Sequence, residues 1–151
     1  MKKSLIAVLC ICLLFGSVAY AASEGGTAEE ATALVDKAVA LMQESGIDKA
    51  IWAFNDTAGD FVMKDLYIFV VDMSGTVLSH GAKAELIGKN LMSLQDTDGK
   101  FIIKDMIEMA KTKSEGWIDY KWENPMTKSI GNKSTYFYKF KDTLVCCGVY
   151  R

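Results

Sequence analysis

The chain has 151 residues, of which 17 are lysine or arginine and 19 are aspartate or glutamate, and its formal net charge is −2. This length fits one domain that is large enough to bury a hydrophobic core without disulfide support. A slightly acidic chain is a poor match for a phosphate backbone, so no nucleic-acid partner is expected.

The start of the chain has the three parts of an export signal. Lys2 and Lys3 precede an apolar run over residues 5–15, and a small-residue pattern, Ala-Tyr-Ala, occupies residues 19–21. Cleavage after Ala21 predicts a mature chain of about 130 residues that is periplasmic or secreted. An uncleaved membrane anchor is the alternative, but the run is shorter than the roughly 20 residues that span a bilayer.

A flexible lead over residues 22–27 comes before a long helical pattern. Thr27 and Glu30 form a capping box at its start. Gly46 interrupts the pattern, and residues 47–54 predict a second helical segment. The apolar side of the first helix is predicted to consist of Leu34, Val35, Ala38, Leu41 and Met42.

A hairpin and a further helix are predicted next. Residues 65–71 are rich in β-branched and aromatic side chains, and a turn joins this strand to a second one over residues 76–80. Residues 81–94 predict a loop with one short helical turn at 84–87. A helix then follows from about residue 100 to residue 113.

The motif Asp96-Thr97-Asp98-Gly99 stands directly before this helix. A calcium loop would need a third acidic position before the glycine and a glutamate further on. The motif is therefore interpreted as the N-cap of the helix.

Three successive strands end the chain, over residues 117–123, 134–140 and 144–150. Because the strand connections are of hairpin type, the sheet is predicted to be antiparallel. The expected fold class is α+β, with a PAS-like five-stranded antiparallel sheet, a long N-terminal helix and flanking helices.

Residues 116–138 carry the strongest signal for a ligand pocket. Strand alternation puts three apolar or aromatic side chains on one face, namely Ile118, Tyr120 and Trp122. After Pro125, the next strand brings in Lys133 and Tyr136. An aromatic wall beside one cation suits a small anionic organic molecule. The alternative is a two-strand part of the core with a solvated lysine.

Motifs in a fixed order along the chain carry a family resemblance. They are Phe54-Asn55-Asp56, Gly59-Asp60-Phe61, Tyr67, Asp72 with Gly75, Ser79-His80, Gly88 with Asn90, Asp96 with Asp98-Gly99-Lys100, Gly116-Trp117-Ile118-Asp119-Tyr120, Asn124-Pro125, Lys133 with Tyr136, and Cys147-Gly148-Val149-Tyr150. With them the chain resembles the single Cache domain family, type 2, over about residues 28–151.

The resemblance implies an extracytoplasmic small-molecule sensor and not an enzyme. Cache domains are commonly parts of chemoreceptors and histidine kinases, and members of this type are associated with short organic acids such as acetate or pyruvate. The resemblance extends to Arg151 with no signalling domain after it, so a free-standing binding module is expected. It would pass ligand occupancy to a membrane receptor or transporter, and the N-terminal helix is a candidate homodimer surface.

The resemblance and strand parity together give six candidate ligand-binding residues. Tyr67, Tyr120 and Trp122 are expected as walls, His80 and Tyr136 as neutral hydrogen-bond donors, and Lys133 as the cation that pairs with a carboxylate. The chain's single arginine is its last residue, so a second carboxylate would be poorly paired. The predicted ligand is therefore a monoanion of about two to four carbons.

The adjacent cysteines, Cys146 and Cys147, support a competing hypothesis. Neighbouring residues on a strand point to opposite faces, so a bond between them would need a strained local turn, and at least one of the two is interpreted as a small buried hydrophobic residue. The alternative is a redox or metal-handling protein that uses both thiols. No cofactor or metal is expected, since one histidine, His80, cannot build a metal site and no catalytic motif is present.

Overall fold

The computed structural model describes residues 25–151. The predicted export signal over residues 1–21 lies outside the described residues. The helices of the described range are α1 (Ala28–Ser45), α2 (Ile47–Phe54), a 3₁₀ turn (Ala84–Leu86) and α3 (Ile102–Ala110). Its strands are β1 (Val62–Met63), β2 (Leu66–Asp72), β3 (Val77–His80), β4 (Glu115–Glu123), β5 (Ile130–Phe140) and β6 (Thr143–Tyr150).

The strands form one antiparallel sheet. Strand β2 pairs with β6, β6 with β5 and β5 with β4, while β3 and the two-residue β1 both pair with β2. The predicted α+β fold with an antiparallel sheet and flanking helices is confirmed. Within residues 25–151, the short β1 is the addition to the five predicted strands.

The long N-terminal helix begins and ends as its sequence predicts. The Thr27 hydroxyl accepts a hydrogen bond from the Glu30 amide at 3.1 Å, and the Glu30 carboxylate accepts one from the Thr27 amide at 2.9 Å. Gly46 separates α1 from α2 with a φ of 85°, which a residue with a side chain adopts only under strain. Just before the helix, the amide of Gly26 donates to a carboxylate oxygen of Asp65 at 2.7 Å.

Each face of the sheet has its own buried core. On one face, α1 and α2 cover side chains such as Ile68 on β2 and Val145 on β6. On the other face, α3 covers Phe69 on β2 and Cys146 on β6. The alternation of side chains along each strand explains this division, because successive residues face opposite sides.

The prediction for the Asp96 motif was wrong. Helix α3 begins at Ile102, six residues after Asp96, and has no side-chain cap. The Asp96 carboxylate instead accepts hydrogen bonds from three backbone amides, those of Asp98, Lys100 and Lys121, each at 2.9 Å. Asp96 therefore closes its own turn and ties the loop to β4. These hydrogen bonds hold the pKa of the Asp96 carboxyl below its usual value, and the bond from the Lys121 amide has the largest effect.

Candidate functional site

A small cavity lies between the sheet and α3. Its volume is about 20 Å³, which is room for little more than one water-sized group. Four of the six predicted site residues line it, namely Tyr67, His80, Tyr120 and Trp122. The rest of the lining is mainly apolar and includes Val71, Val77, Leu91, Leu94, Ile102 and Ile103. A ligand of several heavy atoms would therefore have to move lining side chains apart.

His80 is fixed between aromatic rings at the end of β3. Its ring lies 5.0 Å from the ring of Tyr67 and 5.6 Å from that of Phe69, measured between centroids. Its Nδ1 accepts hydrogen bonds from the amide of Lys83 at 2.9 Å and from the amide of Ala82 at 3.3 Å.

These contacts determine the protonation of His80. Burial, with the charges of Lys133 and Lys83, lowers the pKa of the imidazole to about 3, so the ring is neutral at physiological pH. Because Nδ1 accepts, we assign the proton to Nε2. The side-chain hydrogen bonds of His80 to residues 25–151 involve only Nδ1, and the residue lines the cavity, so the Nε2 proton is free to be donated to a ligand there.

Tyr120 and Trp122 form one wall of the cavity, as strand parity on β4 predicts. Their rings meet edge to face at 6.3 Å and 76°. The Tyr120 hydroxyl shares a 2.9 Å hydrogen bond with the Thr135 hydroxyl on β5. Burial raises the pKa of Tyr120, so this hydroxyl stays neutral. Trp122 is only partly buried and lies at the outer side of the cavity.

Lys133 lies behind the cavity and not in its lining. Lys133 is only 1% exposed, and its ammonium group donates a 2.7 Å hydrogen bond to the Tyr67 hydroxyl. The same nitrogen lies 4.0 Å from the centre of the Tyr67 ring and 4.8 Å from that of Tyr150. Burial lowers the pKa of Lys133 to about 7. The contact of Lys133 with the lining of the cavity therefore runs through Tyr67.

Tyr136 is on the opposite face of the sheet, away from the cavity. It packs against Trp117 at 5.4 Å, and its hydroxyl donates to a carboxylate oxygen of Glu115 at 2.8 Å. Residues 133 and 136 are an odd number of positions apart on one strand, so they must face opposite sides. Placing Tyr136 and Lys133 in one pocket therefore conflicted with the strand period.

The reasoning from sequence missed two residues that shape the surroundings of the cavity. A side chain at Gly148 would overlap Lys133 Cε and Thr135 Oγ1, so this glycine leaves the space in which the lysine side chain lies. A glycine inside a strand often marks such a close approach, and this signal was available. Lys83 belonged to a segment predicted only as loop.

Lys83 adds a second positive charge beside the cavity. Its ammonium nitrogen lies 5.5 Å from the centre of the Trp122 ring and 3.4 Å from a carboxylate oxygen of Glu123. It contributes to the lowered pKa of His80, as Lys133 does. Two ammonium groups, those of Lys83 and Lys133, therefore act electrostatically on His80.

The two cysteines have no disulfide partner, and both are buried. Cys146 and Cys147 face opposite sides of the sheet, as predicted from their adjacency. Burial raises the pKa of Cys147 to about 12 and also raises that of Cys146, which favours the protonated thiol at both positions. In the part of the chain that the structure describes, no cluster of three His, Cys, Asp or Glu residues could hold a metal ion.

The sequence model of the family described as single Cache domain 2 matches residues 17–151. The chain belongs to the single Cache domain 2 family. Cache domains of this kind are extracytoplasmic sensor domains of chemotaxis receptors and sensor histidine kinases. Between residues 25 and 151, no helix is both long and apolar enough to cross a membrane.

Two curated proteins have regions similar to this Cache domain. Sensor histidine kinase MctS of Rhizobium johnstonii is 36% identical over 73 residues, which is 48% of this chain. Methyl-accepting chemotaxis protein McpP of Pseudomonas putida is 26% identical over 88 residues, or 57% of this chain. The matched region is 16% of the length of each relative.

Solved Cache structures share the fold. A methyl-accepting chemotaxis protein from Vibrio parahaemolyticus superposes with a TM-score of 0.70 at 24% identity, covering 81% of this chain and 86% of the other. A Cache chemosensory domain described for carboxylic acid recognition gives a TM-score of 0.69 at 20% identity, covering 81% of this chain and 91% of the other.

Proposed function

We propose that this chain is an exported sensor module that binds a short-chain monocarboxylate in the cavity and signals its occupancy through a partner protein. The observation that carries the proposal is the position of His80 in the lining of a small and mainly apolar cavity, with Nδ1 already accepting from the Lys83 amide, which leaves Nε2 as the donor. Such a cavity suits a ligand with one polar end and a short carbon chain.

The charges around the donor favour an anion as the polar end. The charges of Lys133 and Lys83 both act on His80 electrostatically. Neither ammonium group is hydrogen-bonded to the imidazole, because that of Lys133 donates to Tyr67 and that of Lys83 pairs with Glu123. A carboxylate bound to Nε2 would be attracted by both ammonium groups. We assign the counter-charge to Lys133, because burial strengthens its interaction with a second buried charge.

The apolar lining favours a short carbon chain, and movement of lining side chains has to make room for the two to four carbons of acetate, propionate, pyruvate or lactate. A dicarboxylate would place its second charge against side chains such as Val77 and Ile103, where desolvation is costly. An amino acid would need oxygen acceptors for its ammonium group. Asp119, on β4, is exposed and does not line the cavity.

The relatives support the sensing function and its cellular context. One is a sensor kinase and another a chemotaxis receptor, and a neighbour in structure is described for carboxylic acid recognition. Together with the signal-like pattern over residues 1–21, they support export and a partner that is a membrane receptor or transporter. Homodimerisation through α1 is part of the same proposal.

Thermal unfolding with a panel of small molecules tests the ligand class. A ligand at about 100 times its Kd stabilises the folded state by roughly 2.7 kcal/mol, which raises the melting temperature by several degrees. Monocarboxylates of two to four carbons should give this shift. Amino acids, sugars and divalent metal ions serve as comparisons, and a shift confined to any of these would refute the assignment.

A further inference from the structure

Lys133 occupies an unusual position for a charged side chain. The ion pairs of the described residues involve Lys64, Lys83, Lys111 and Lys121, and none includes Lys133. Its one hydrogen bond goes to the neutral Tyr67 hydroxyl, while the rings of Tyr67 and Tyr150 cover the nitrogen. A buried amine without a carboxylate partner is poorly compensated as a cation.

Several titratable groups surround Lys133 from the elements packed around it. They are Tyr67 on β2, His80 on β3, Tyr120 on β4, Cys146, Cys147 and Tyr150 on β6, and Asp65 in the turn before β2. The pKa values of the tyrosines and cysteines are raised, and that of His80 is lowered to about 3. None of these six titrates near neutral pH. Lys133 also lines an open pocket together with charged residues, namely Asp96, Asp98, Lys100, Asp119, Lys121 and Arg151, none of which forms an ion pair with it.

Lys133 is also coupled to the position that the ligand would occupy. Its charge lowers the pKa of His80, so a positive charge on that imidazole and the charge of Lys133 repel one another. The interaction is reciprocal, and its sign reverses for an anion. A carboxylate that accepts from His80 Nε2 therefore stabilises the protonated form of Lys133.

We propose that Lys133 takes up a proton from the solvent when a monocarboxylate binds, so that the sensor's affinity for its ligand depends on the surrounding pH. This inference rests on the proposed function and adds its regulation. The reaction converts a neutral amine into an ammonium ion, and buffer acid supplies the proton. The bound pair is then net neutral, which removes the cost of an unpaired charge on either side.

The pH range of the effect follows from the pKa of about 7 in the free protein. Below this pH Lys133 is already protonated in the free protein, so ligand binding takes up few additional protons. Above it, binding has to protonate the amine, so the affinity falls by about tenfold between about pH 6 and about pH 8 if the complex keeps its proton throughout.

Isothermal titration calorimetry of the exported protein with propionate measures this proton uptake directly. The binding enthalpy is compared in phosphate and in Tris, whose ionisation enthalpies differ strongly. At about pH 8 the difference should correspond to nearly one proton per ligand, and at about pH 6 to nearly none. The Kd should change about tenfold over the same interval.

Two variants assign the proton. Lys133→Met should abolish both the buffer dependence and the change of Kd with pH. Lys83→Met, which removes the other nearby lysine, should retain the proton uptake at about pH 8. Proton uptake that persists in Lys133→Met would overturn the proposal, whatever the result for Lys83→Met.

The measurement also separates this inference from its alternatives. If propionate bound as the neutral acid, uptake would persist at about pH 6, well above the ordinary carboxylic acid pKa of roughly 4 to 5. Binding with no proton uptake at either pH would overturn the role of Lys133 and leave the ligand class intact. Absence of binding by every monocarboxylate at about pH 6 would instead refute the proposed function.

Discussion

The ammonium group of Lys133 on β5 donates a 2.7 Å hydrogen bond to the hydroxyl of Tyr67 on β2, although β6 lies between these strands. Neighbouring strands are about 4.8 Å apart, so the two side chains meet over a gap of about 10 Å. The side chains of Lys133 and Tyr67 can meet across β6 because Gly148, the β6 residue next to the Lys133 side chain, has no side chain to fill that space. This contact links the aromatic lining of the cavity to a buried amine.

His80→Phe should weaken monocarboxylate binding by roughly 10- to 150-fold, since a hydrogen bond to a charged group contributes about 1.5 to 3 kcal/mol. The phenyl ring keeps the packing against Tyr67 and Phe69 but removes the Nε2 donor. His80→Gln is the matched control, because its amide can still donate and should recover part of the affinity. Calorimetry measures both, and equal affinity of His80→Phe and the wild type would exclude the donor role.

Lys133→Met should stabilise the ligand-free protein while weakening ligand binding. The pKa of Lys133 falls from 10.5 in the unfolded chain to about 7 in the folded protein. The cost of burying its charge is therefore complete below about pH 7 and declines as the pH rises toward about 10.5. The gain in unfolding free energy should be a few kcal/mol at about pH 6 and should shrink by up to about 1.4 kcal/mol per pH unit above about pH 7.

Urea unfolding of Lys133→Met and the wild type at several pH values measures this difference. A gain that does not change between about pH 7 and about pH 9 would mean that Lys133 does not titrate in this range. A loss of stability at every pH would show that the hydrogen bond to Tyr67 outweighs the cost of burial.

Gly148→Ala should destabilise the fold by about 1 to 3 kcal/mol, because the new methyl group overlaps Lys133 Cε and Thr135 Oγ1. Displacement of Lys133 should also reduce ligand affinity. Gly131→Ala is the matched control on β5, since a methyl group there meets only Tyr150 Cδ1 at 3.7 Å. Thermal unfolding compares the two variants, and equal effects would contradict the role assigned to Gly148.

The thiols of Cys146 and Cys147 should react slowly with Ellman's reagent in the native protein. Both side chains are fully buried, and burial keeps them protonated at neutral pH. Both should react at once in denaturant. Fast reaction of either thiol in the native state would revive the redox hypothesis. A Cys146→Ala variant identifies which thiol is responsible.

Local sequence patterns determined most of the secondary structure. The Thr27 capping box and Gly46 delimit α1 because capping and backbone freedom depend on a few neighbouring residues. Strand alternation placed Tyr120 and Trp122 on one wall, since the period of two is intrinsic to a strand. The same period already separated Lys133 from Tyr136, and ignoring it produced one misplaced site residue.

The tertiary structure alone decided which partners these side chains have. Asp96 carries a sequence typical of an N-cap, yet a strand 25 positions away supplies one of its donors. The neutral state of His80 and the lowered pKa of Lys133 arise from burial and from charges on other strands. The sequence determines elements and faces through short-range periodicity, whereas desolvation and long-range contacts exist only after the elements pack.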